Sequence, residues 1–303
     1  MIGSSWKLSA PAPKPVIQAA LLAHEEHEDW DFNLVISGRE IDEDRPQDWV
    51  LEAWYPSKPG KAQRHAISAL FANGVPDFTI EELGDQDWLA LSQQGVEPIR
   101  AGQFYVHTPD FAPTADAINF AIPAAQAFGT GQHETTAGCL EMLSAMKDQG
   151  VFARHIADIG TGTGLLGFAA MALWPGAKAT ASDIDPVCAQ VVEDNAALNA
   201  IPIGTGTGEM TMVIADGMQD PLLQMRGPYD LLIANILAGP LVELAEDFGA
   251  SVSPSGSVLL AGLLAGDQEA QVRRAYRLAG FRLVSRIERG DWAIMWLRRR
   301  HAR

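Results

Sequence analysis

The residues with the clearest chemical potential are Asp158-Ile159-Gly160-Thr161-Gly162-Thr163-Gly164. An apolar run, His155 to Ile159, leads into them and reads as a buried parallel strand. The run Leu165 to Trp174 follows and reads as a helix. A strand, a glycine-rich turn and a helix together make a nucleotide cradle. The glycines permit tight backbone geometry and leave room for a ligand. The first helical turn offers unpaired N–H groups. Two registers fit: Gly160, Gly162 and Gly164 form a GxGxG, while Gly162, Gly164 and Gly167 form the GxGxxG of dinucleotide folds. A glycine turn that binds nothing has the same spacing, so the neighbouring strand ends must decide.

In an open α/β sheet, ligands sit beyond the carboxyl ends of the strands. Polar residues stand at four such ends: Asp158 and Gly160 after the first strand, Asp183 after the second, Asp216 after the third and Asn235 after the fourth. An aspartate about 20 residues past the glycines accepts hydrogen bonds from ribose hydroxyls. Asp216 is placed to approach an adenine amino group. Any one of these aspartates alone would read as a helix N-cap. Together, beside the glycine turn, they indicate an adenosine-containing ligand and favour the Gly160-Gly162-Gly164 register, leaving Gly167 as a helix-packing residue.

Two further runs separate this chain from dehydrogenases. Ala234-Asn235-Ile236-Leu237-Ala238-Gly239-Pro240-Leu241 resembles the fourth motif of class I S-adenosylmethionine-dependent methyltransferases. Ala127-Phe128-Gly129-Thr130-Gly131-Gln132-His133-Glu134-Thr135-Thr136 lies upstream. With Asp158 to Gly164, Asp183-Ile184-Asp185-Pro186 and Asp194-Asn195, these runs closely resemble the ribosomal protein L11 methyltransferases over residues 126–299. The resemblance implies methylation of lysine side chains and the N-terminal amine of that large-subunit protein. By motif it implies cofactor contacts from Thr136, Gly160, Asp183 and Asn235, with Phe128, Gly129 and Gly131 in a loop closing over S-adenosylmethionine; the glycine turn and the strand-end reading add Gly162 and Asp216 as cofactor-binding candidates. The chain departs from the family at Glu134, where proline is frequent, and at Thr161 and Thr163, where cysteine or serine is frequent.

The implied chemistry is in-line displacement: an amine nitrogen attacks the methyl group and a neutral thioether leaves. Asn235 is the expected catalytic residue, its oxygen accepting the amine hydrogens; the alternative is that it touches only the cofactor. His133 is either a base or gate or, more simply, a packing or capping residue at the start of the next helix.

The elements that must hold these residues follow from the spacing. Phe128 onward alternates helix and strand: helix 134–147, strand 155–159, strand 177–182, helix 186–198, strand 211–215, strand 229–234, helix 241–250, strand 257–261, helix 268–279, and a closing pair 281–287 and 291–297. This predicts a seven-stranded, doubly wound, Rossmann-like α/β sheet with one antiparallel strand. Residues 1–84 predict a ferredoxin-like α+β module in the order βαββαβ, serving in the resembled family to recognise the ribosomal protein. Residues 85–126, broken by Pro109, Pro113 and Pro123, predict a connector with a short helix at 88–93 and a strand at 103–107. The methyltransferase domain is then 127–303. Gly204 to Gly208 precedes a strand and reads as a loop.

Composition narrows the partners. The 303 residues are 47% hydrophobic with a net charge of −16, which suits a globular protein with a sizeable core. Residues 1–120 hold 19 of the 38 acids but only 8 of the 22 bases, a net −11. An acidic front half disfavours a phosphate backbone and complements a basic protein; it also serves solubility. Direct sequence-specific binding of nucleic acid is therefore not expected, although Arg298-Arg299-Arg300 could touch RNA. No membrane-length apolar run and no secretory signal is evident. Cys139 and Cys188 read as buried thiols of a reducing cytoplasm, and no metal set is evident. The competing readings are a nicotinamide-dependent oxidoreductase, a methyltransferase of RNA or another basic protein, and a non-catalytic adaptor.

Overall fold

The computed structural model describes residues 5–25, 35–41, 45, 47–55, 57–72, 74, 76–83, 97–123 and 132–300. The chain divides into two compact units, Met1–Gly95 and Val96–Arg303.

The first unit runs β1 (Ser5–Pro13), α1 (Lys14–Glu25), β2 (Val35–Glu40), β3 (Asp48–Tyr55), α2 (Lys61–Ala69) and β4 (Thr79–Leu83). Its antiparallel sheet has the order β2-β3-β1-β4. Period-two alternation turns Leu8, Ala10, Leu51, Ala53 and Tyr55 into one core, which Ile17 and Ala20 of α1 and Ile67 of α2 complete. Glu52 is buried on β3 and held by Arg39 at 3.0 Å and Lys7 at 3.4 Å, partners that offset the cost of burying its charge.

The second unit begins with β5 (Ile99–Ala101), β6 (Phe104–His107) and β7 (Ile118–Ala121), a three-stranded sheet where the sequence predicts a connector with one strand. Strands of three and four residues carry too little periodicity to be read. Two side chains fix this small sheet. The Ser144 hydroxyl accepts from the Gln103 N–H at 2.9 Å, and the Asn199 amide exchanges bonds with the Ala121 backbone at 2.7 and 2.8 Å. The expected helix at 88–93 lies outside the described residues.

The large sheet and its helices follow: α3 (Gln132–Asp148), β8 (His155–Ile159), α4 (Leu165–Leu173), β9 (Lys178–Asp183), α5 (Val187–Leu198), β10 (Met210–Ile214), α6 (Pro221–Arg226), β11 (Tyr229–Asn235), α7 (Ala238–Glu243), α8 (Ala245–Ser251), β12 (Val252–Leu264), α9 (Asp267–Leu278), β13 (Phe281–Arg289) and β14 (Trp292–Arg299). The strand order is β10-β9-β8-β11-β12-β14-β13. β8 to β12 pair in parallel, and β14 runs antiparallel between β12 and β13. The central strands are buried on both faces and are mainly apolar for that reason, with Asp158 the buried exception on β8. α4 is buried nearly all round, matching its lack of a polar stripe.

Three local predictions are corrected. The helix expected at 241–250 begins at Ala238 and breaks at Leu244, which ends α7 and starts α8. The strand expected at 257–261 extends over Val252–Leu264, with a register shift between Leu260 and Leu263. An unpredicted helix, α6, starts at Pro221 under Asp220, whose carboxylate accepts the Leu222 N–H at 2.7 Å, a cap and first-turn proline in their preferred places.

Candidate active site

β8 ends at Ile159 and the chain turns through three left-handed glycines: Gly160 at φ 70°, Gly162 at φ 53° and Gly164 at φ 85°. Side chains rarely adopt this region, and at two of the three positions there is also no space. A Cβ on Gly160 would stand 2.2 Å from Ile236 Cγ2, and one on Gly164 would stand 2.5 Å from the Phe168 ring. Gly162 differs: a Cβ there would meet nothing within 4 Å. The turn therefore packs on the protein at its ends and opens outward at its middle.

Polar groups fix the turn. The Gly160 and Thr161 N–H groups donate to the Ser182 carbonyl at 2.8 and 2.9 Å, tying β8 to the end of β9. The buried Asn195 amide of α5 donates to the Thr163 carbonyl at 3.0 Å. Asp158 is 2% exposed, and one of its oxygens accepts both the Thr161 hydroxyl at 2.7 Å and the Gly167 N–H at 2.9 Å. Burial pushes its carboxyl up to about 6, against the pull of those two donors. Gly167 is a packing residue: a Cβ there would strike Met210 Cε at 2.5 Å.

Asp183, half-buried at the end of β9, accepts the Gly162 N–H on Oδ2 at 2.9 Å and the Asp185 N–H on Oδ1 at 3.1 Å. The Cys188 thiol donates to the same carboxylate, so three donors occupy a group with about four acceptor positions and one is left for a ligand. Capping of α5 falls to Asp185, which accepts the Val187 N–H at 2.9 Å. Of the two aspartates, Asp183 thus shapes the glycine turn and remains available to a ligand hydroxyl.

Asn235 ends β11. Ala234 pairs with Ile159 and Asn235 with Ala261, so Asn235 stands level with Gly160. Its side chain is partly exposed, and among the described residues its amide has no hydrogen-bond partner. Its neighbour Ile236 is gripped from two sides, by Gly160 and by Gly262, where a Cβ would stand 2.3 Å from the Ile236 carbonyl oxygen. Gly262 is a supporting residue outside the quoted motifs, and Asn195, quoted in the Asp194-Asn195 run without a role, proves to hold the Thr163 carbonyl. A glycine inside a strand-like run is the available signal for Gly262, since it marks a bulge or a close backbone approach.

Asp216 follows β10, is exposed and has no side-chain partner among the described residues. It shares the sheet edge with Asp183, whose carbonyl accepts the Ala215 N–H at 2.8 Å. Thr136 is partly buried in the first turns of α3. α3 is anchored to the β13–β14 hairpin by Arg289, which reaches Glu141 at 2.9 Å and Glu134 at 3.9 Å. Among the described residues, no hydrogen bond joins Thr136 to the glycine turn. Phe128, Gly129, Gly131 and the His133 side chain lie outside the described residues. Cys139 is buried and Cys188 half-buried. Burial raises both thiols, Cys188 to about 12 and Cys139 further, so neither is a thiolate nucleophile at neutral pH.

Asp158, Gly160, Gly162, Asp183 and Asn235 are thus brought to one sheet edge. The donor set fits an adenosine-containing cofactor with an aminoacyl tail: a carboxylate with a free acceptor position, open space at Gly162 and an unpartnered amide beside it. The parallel sheet with one antiparallel strand inserted at β14, and the glycine turn after β8, define a Rossmann-like methyltransferase. The chain belongs to the ribosomal protein L11 methyltransferase (PrmA) family, whose profile matches residues 21–300.

The ribosomal protein L11 methyltransferase of Agrobacterium fabrum is 36% identical over 272 residues, spanning 88% of this chain and 90% of its own length. That of Rhizobium rhizogenes is 37% identical over 275 residues, spanning 89% and 90%. The crystal structure of ribosomal protein L11 methylase from Lactobacillus delbrueckii subsp. bulgaricus is similar at a TM-score of 0.57 and 25% identity, over 68% of this chain and 100% of that one.

Proposed function

We propose that the protein transfers methyl groups from S-adenosylmethionine to lysine side-chain and N-terminal amines of ribosomal protein L11, with the acceptor amine held by Asn235. Family membership supports the reaction and the substrate. The observation that supports the role of Asn235 is its unpartnered amide level with Gly160 at the end of β11. The bound cofactor supplies an electrophilic methyl group on a sulfonium.

The protein's contribution is placement. Asp183 accepts a ribose hydroxyl, and the backbone from Gly160 to Gly162 leaves space for the aminoacyl tail. The Asn235 oxygen accepts the amine hydrogens and directs the nitrogen lone pair at the methyl carbon. Alignment of this kind can supply most of the rate in a displacement that needs no covalent enzyme intermediate. The acceptor must also lose its proton. For a lysine of pKa ~10.4 this costs about 4 kcal/mol near pH 7.5, and much less for an α-amine. A cationic centre beside the amine lowers that cost by like-charge repulsion. Phe128, Gly131 and Thr136 complete the cofactor site in this reading, with Asp216 near the adenine.

The acidic first unit serves as the recognition module for the basic substrate, by charge complementarity. Action in the cytoplasm follows from such a substrate; among the described residues no helix is long and apolar enough to cross a membrane. The test is incubation of the full chain with methyl-labelled cofactor and separated large-subunit components. Label on one ribosomal protein, released as methylated lysine or methylated N-terminal residue, supports the proposal. Label confined to ribosomal RNA contradicts it.

A further inference from the structure

The amino-end edge of the large sheet, opposite the glycine turn, carries a second feature. A cavity of about 290 Å³ opens there. Its lining includes Lys147 at the end of α3, Arg154 and His155 at the start of β8, Lys178 at the start of β9, and the aromatic rings of Phe152 and Trp174. Phe152 is 66% exposed, unusual for so large an apolar side chain, and the Arg154 guanidinium stands over its ring at 5.4 Å. Lys147 lies over the Trp174 ring at 5.6 Å and donates to the Leu173 carbonyl at 2.6 Å.

The positive charge extends along the same edge. Arg226 closes α6 just before β11, and Arg298 and Arg299 end β14, paired with Ser257 within β12 and with Phe281 at the start of β13. The Arg300 N–H donates to the Gly280 carbonyl. Among the described residues, none of these lysines and arginines forms an ion pair with a carboxylate. Elsewhere in the unit Arg273, Arg286 and Arg289 are paired with glutamates, while Arg274 and Arg277 on the outer helix α9 form no ion pair among the described residues.

Asp230, Glu209 and Asp148 lie near this edge and offset part of its charge, with neutral donors fixing their carboxylates in place. Asp230 accepts the Arg154 and His155 N–H groups and the Ser253 hydroxyl, Glu209 accepts the Gly206 N–H, and Asp148 accepts from Gln103. In a chain of net charge −16, an edge where cations outnumber these acids, with an exposed aromatic in its cleft, is not explained by solubility.

We propose that this edge is a docking surface for single-stranded RNA, with backbone phosphates along Lys147, Arg154, Lys178 and the β14 arginines and one unstacked base in the cleft against Phe152. Arg226, Arg298 and Arg299 donate to the Ala179, Ser255 and Val252 carbonyls, as Lys147 does to Leu173. These cations are held in place without being neutralised by a carboxylate, and such cations gain by releasing the counterions condensed on a phosphate backbone. With the Arg154 guanidinium over one face, the exposed remainder of the Phe152 ring is a stacking platform that accepts any base. An acidic protein would satisfy the charge but not the planar apolar floor. The surface is independent of the methyl-transfer site, and it would hold the enzyme on RNA without reading sequence.

The test is fluorescence anisotropy of the full chain with a labelled single-stranded RNA dodecamer, titrated with salt in the absence of cofactor. Binding should weaken with salt. Arg154→Gln with Lys178→Gln should weaken binding about tenfold or more and reduce the salt slope by about 0.7 for each phosphate no longer neutralised. Phe152→Ser should weaken binding at least about fivefold while leaving the slope unchanged, and an abasic dodecamer should abolish that difference. All these variants should keep wild-type methyl transfer to free ribosomal protein, which separates this proposal from the catalytic one. Absence of RNA binding at low salt, equal binding by the double variant, or equal affinity for polyglutamate would overturn it.

Discussion

Asn235 and Asp183 divide the work that a small polar side chain can do at this edge. The Asn235 amide has no partner among the described residues, so its replacement should cost the fold little and the reaction much. Asn235→Ala is expected to lower methyl transfer at least about tenfold with an unchanged thermal midpoint; turnover equal to wild type would remove it from orienting the amine. Asp183 also holds the Gly162 N–H. Asp183→Ala is expected to weaken S-adenosylmethionine binding by about tenfold or more, since it loses both the ribose acceptor and the turn anchor; calorimetry showing an unchanged affinity would contradict this.

Asp158 acts on stability. Its carboxyl titrates at about 6 in the folded chain and near 4 when unfolded. Between those values the folded state holds a proton that the unfolded chain has released. Stability therefore falls as pH rises from about 4 to about 6, by about 3 kcal/mol in total. Asp158→Asn keeps an acceptor for Thr161 and Gly167 but cannot ionise. Denaturant melts across this window should show the wild type losing stability relative to the variant as pH rises; parallel curves would show that Asp158 does not titrate there.

At the scale of elements, the glycine turn separates packing from binding within three residues. Gly160→Ala combines a left-handed backbone with a clash against Ile236, and it should lower the thermal midpoint clearly. Gly162→Ala bears the same backbone cost but meets open space, so its larger effect should be on cofactor affinity. Equal cofactor affinity in Gly162→Ala and wild type would mean that the open space is not where the ligand lies.

The turn itself was legible because its chemistry is local: β8 matches the predicted strand, and Asp183 and Asn235 stand at strand ends as their positions imply. What was not legible depends on packing. β5 and β7 are too short to show a period, and what holds their sheet in place lies far along the chain: Ser144, Asn199 and the core that Ile99 and Phe120 share with Leu140 and Phe168. β14 enters the sheet between β12 and β13, where the hairpin signal alone implies one antiparallel strand without giving its neighbours. The left-handed Gly262 is needed because Ile236 approaches from another strand, a neighbour that nothing in its own segment announces.

At the scale of the whole molecule, charge is distributed by function. The front of the chain is acidic, residues 1–120 carrying a net −11, whereas the amino-end edge of the large sheet brings together Lys147, Arg154, Lys178, Arg226, Arg298 and Arg299, none with a carboxylate partner among the described residues. A chain lacking the first unit should still be stabilised by S-adenosylhomocysteine in a thermal shift, and not by NADH, while losing methylation of ribosomal protein L11. Full methylation by the truncated chain would place recognition in the second unit.

The central claim, amine methylation directed by Asn235, is tested most directly by the mass spectrum of ribosomal protein L11 after incubation with S-adenosylmethionine and either the wild-type chain or Asn235→Ala. The expected result is methyl groups on lysine side chains or the N-terminal amine with the wild type and a strongly reduced yield at the same positions with the variant. An unmodified substrate with the wild type, or equal yields from both, would contradict it.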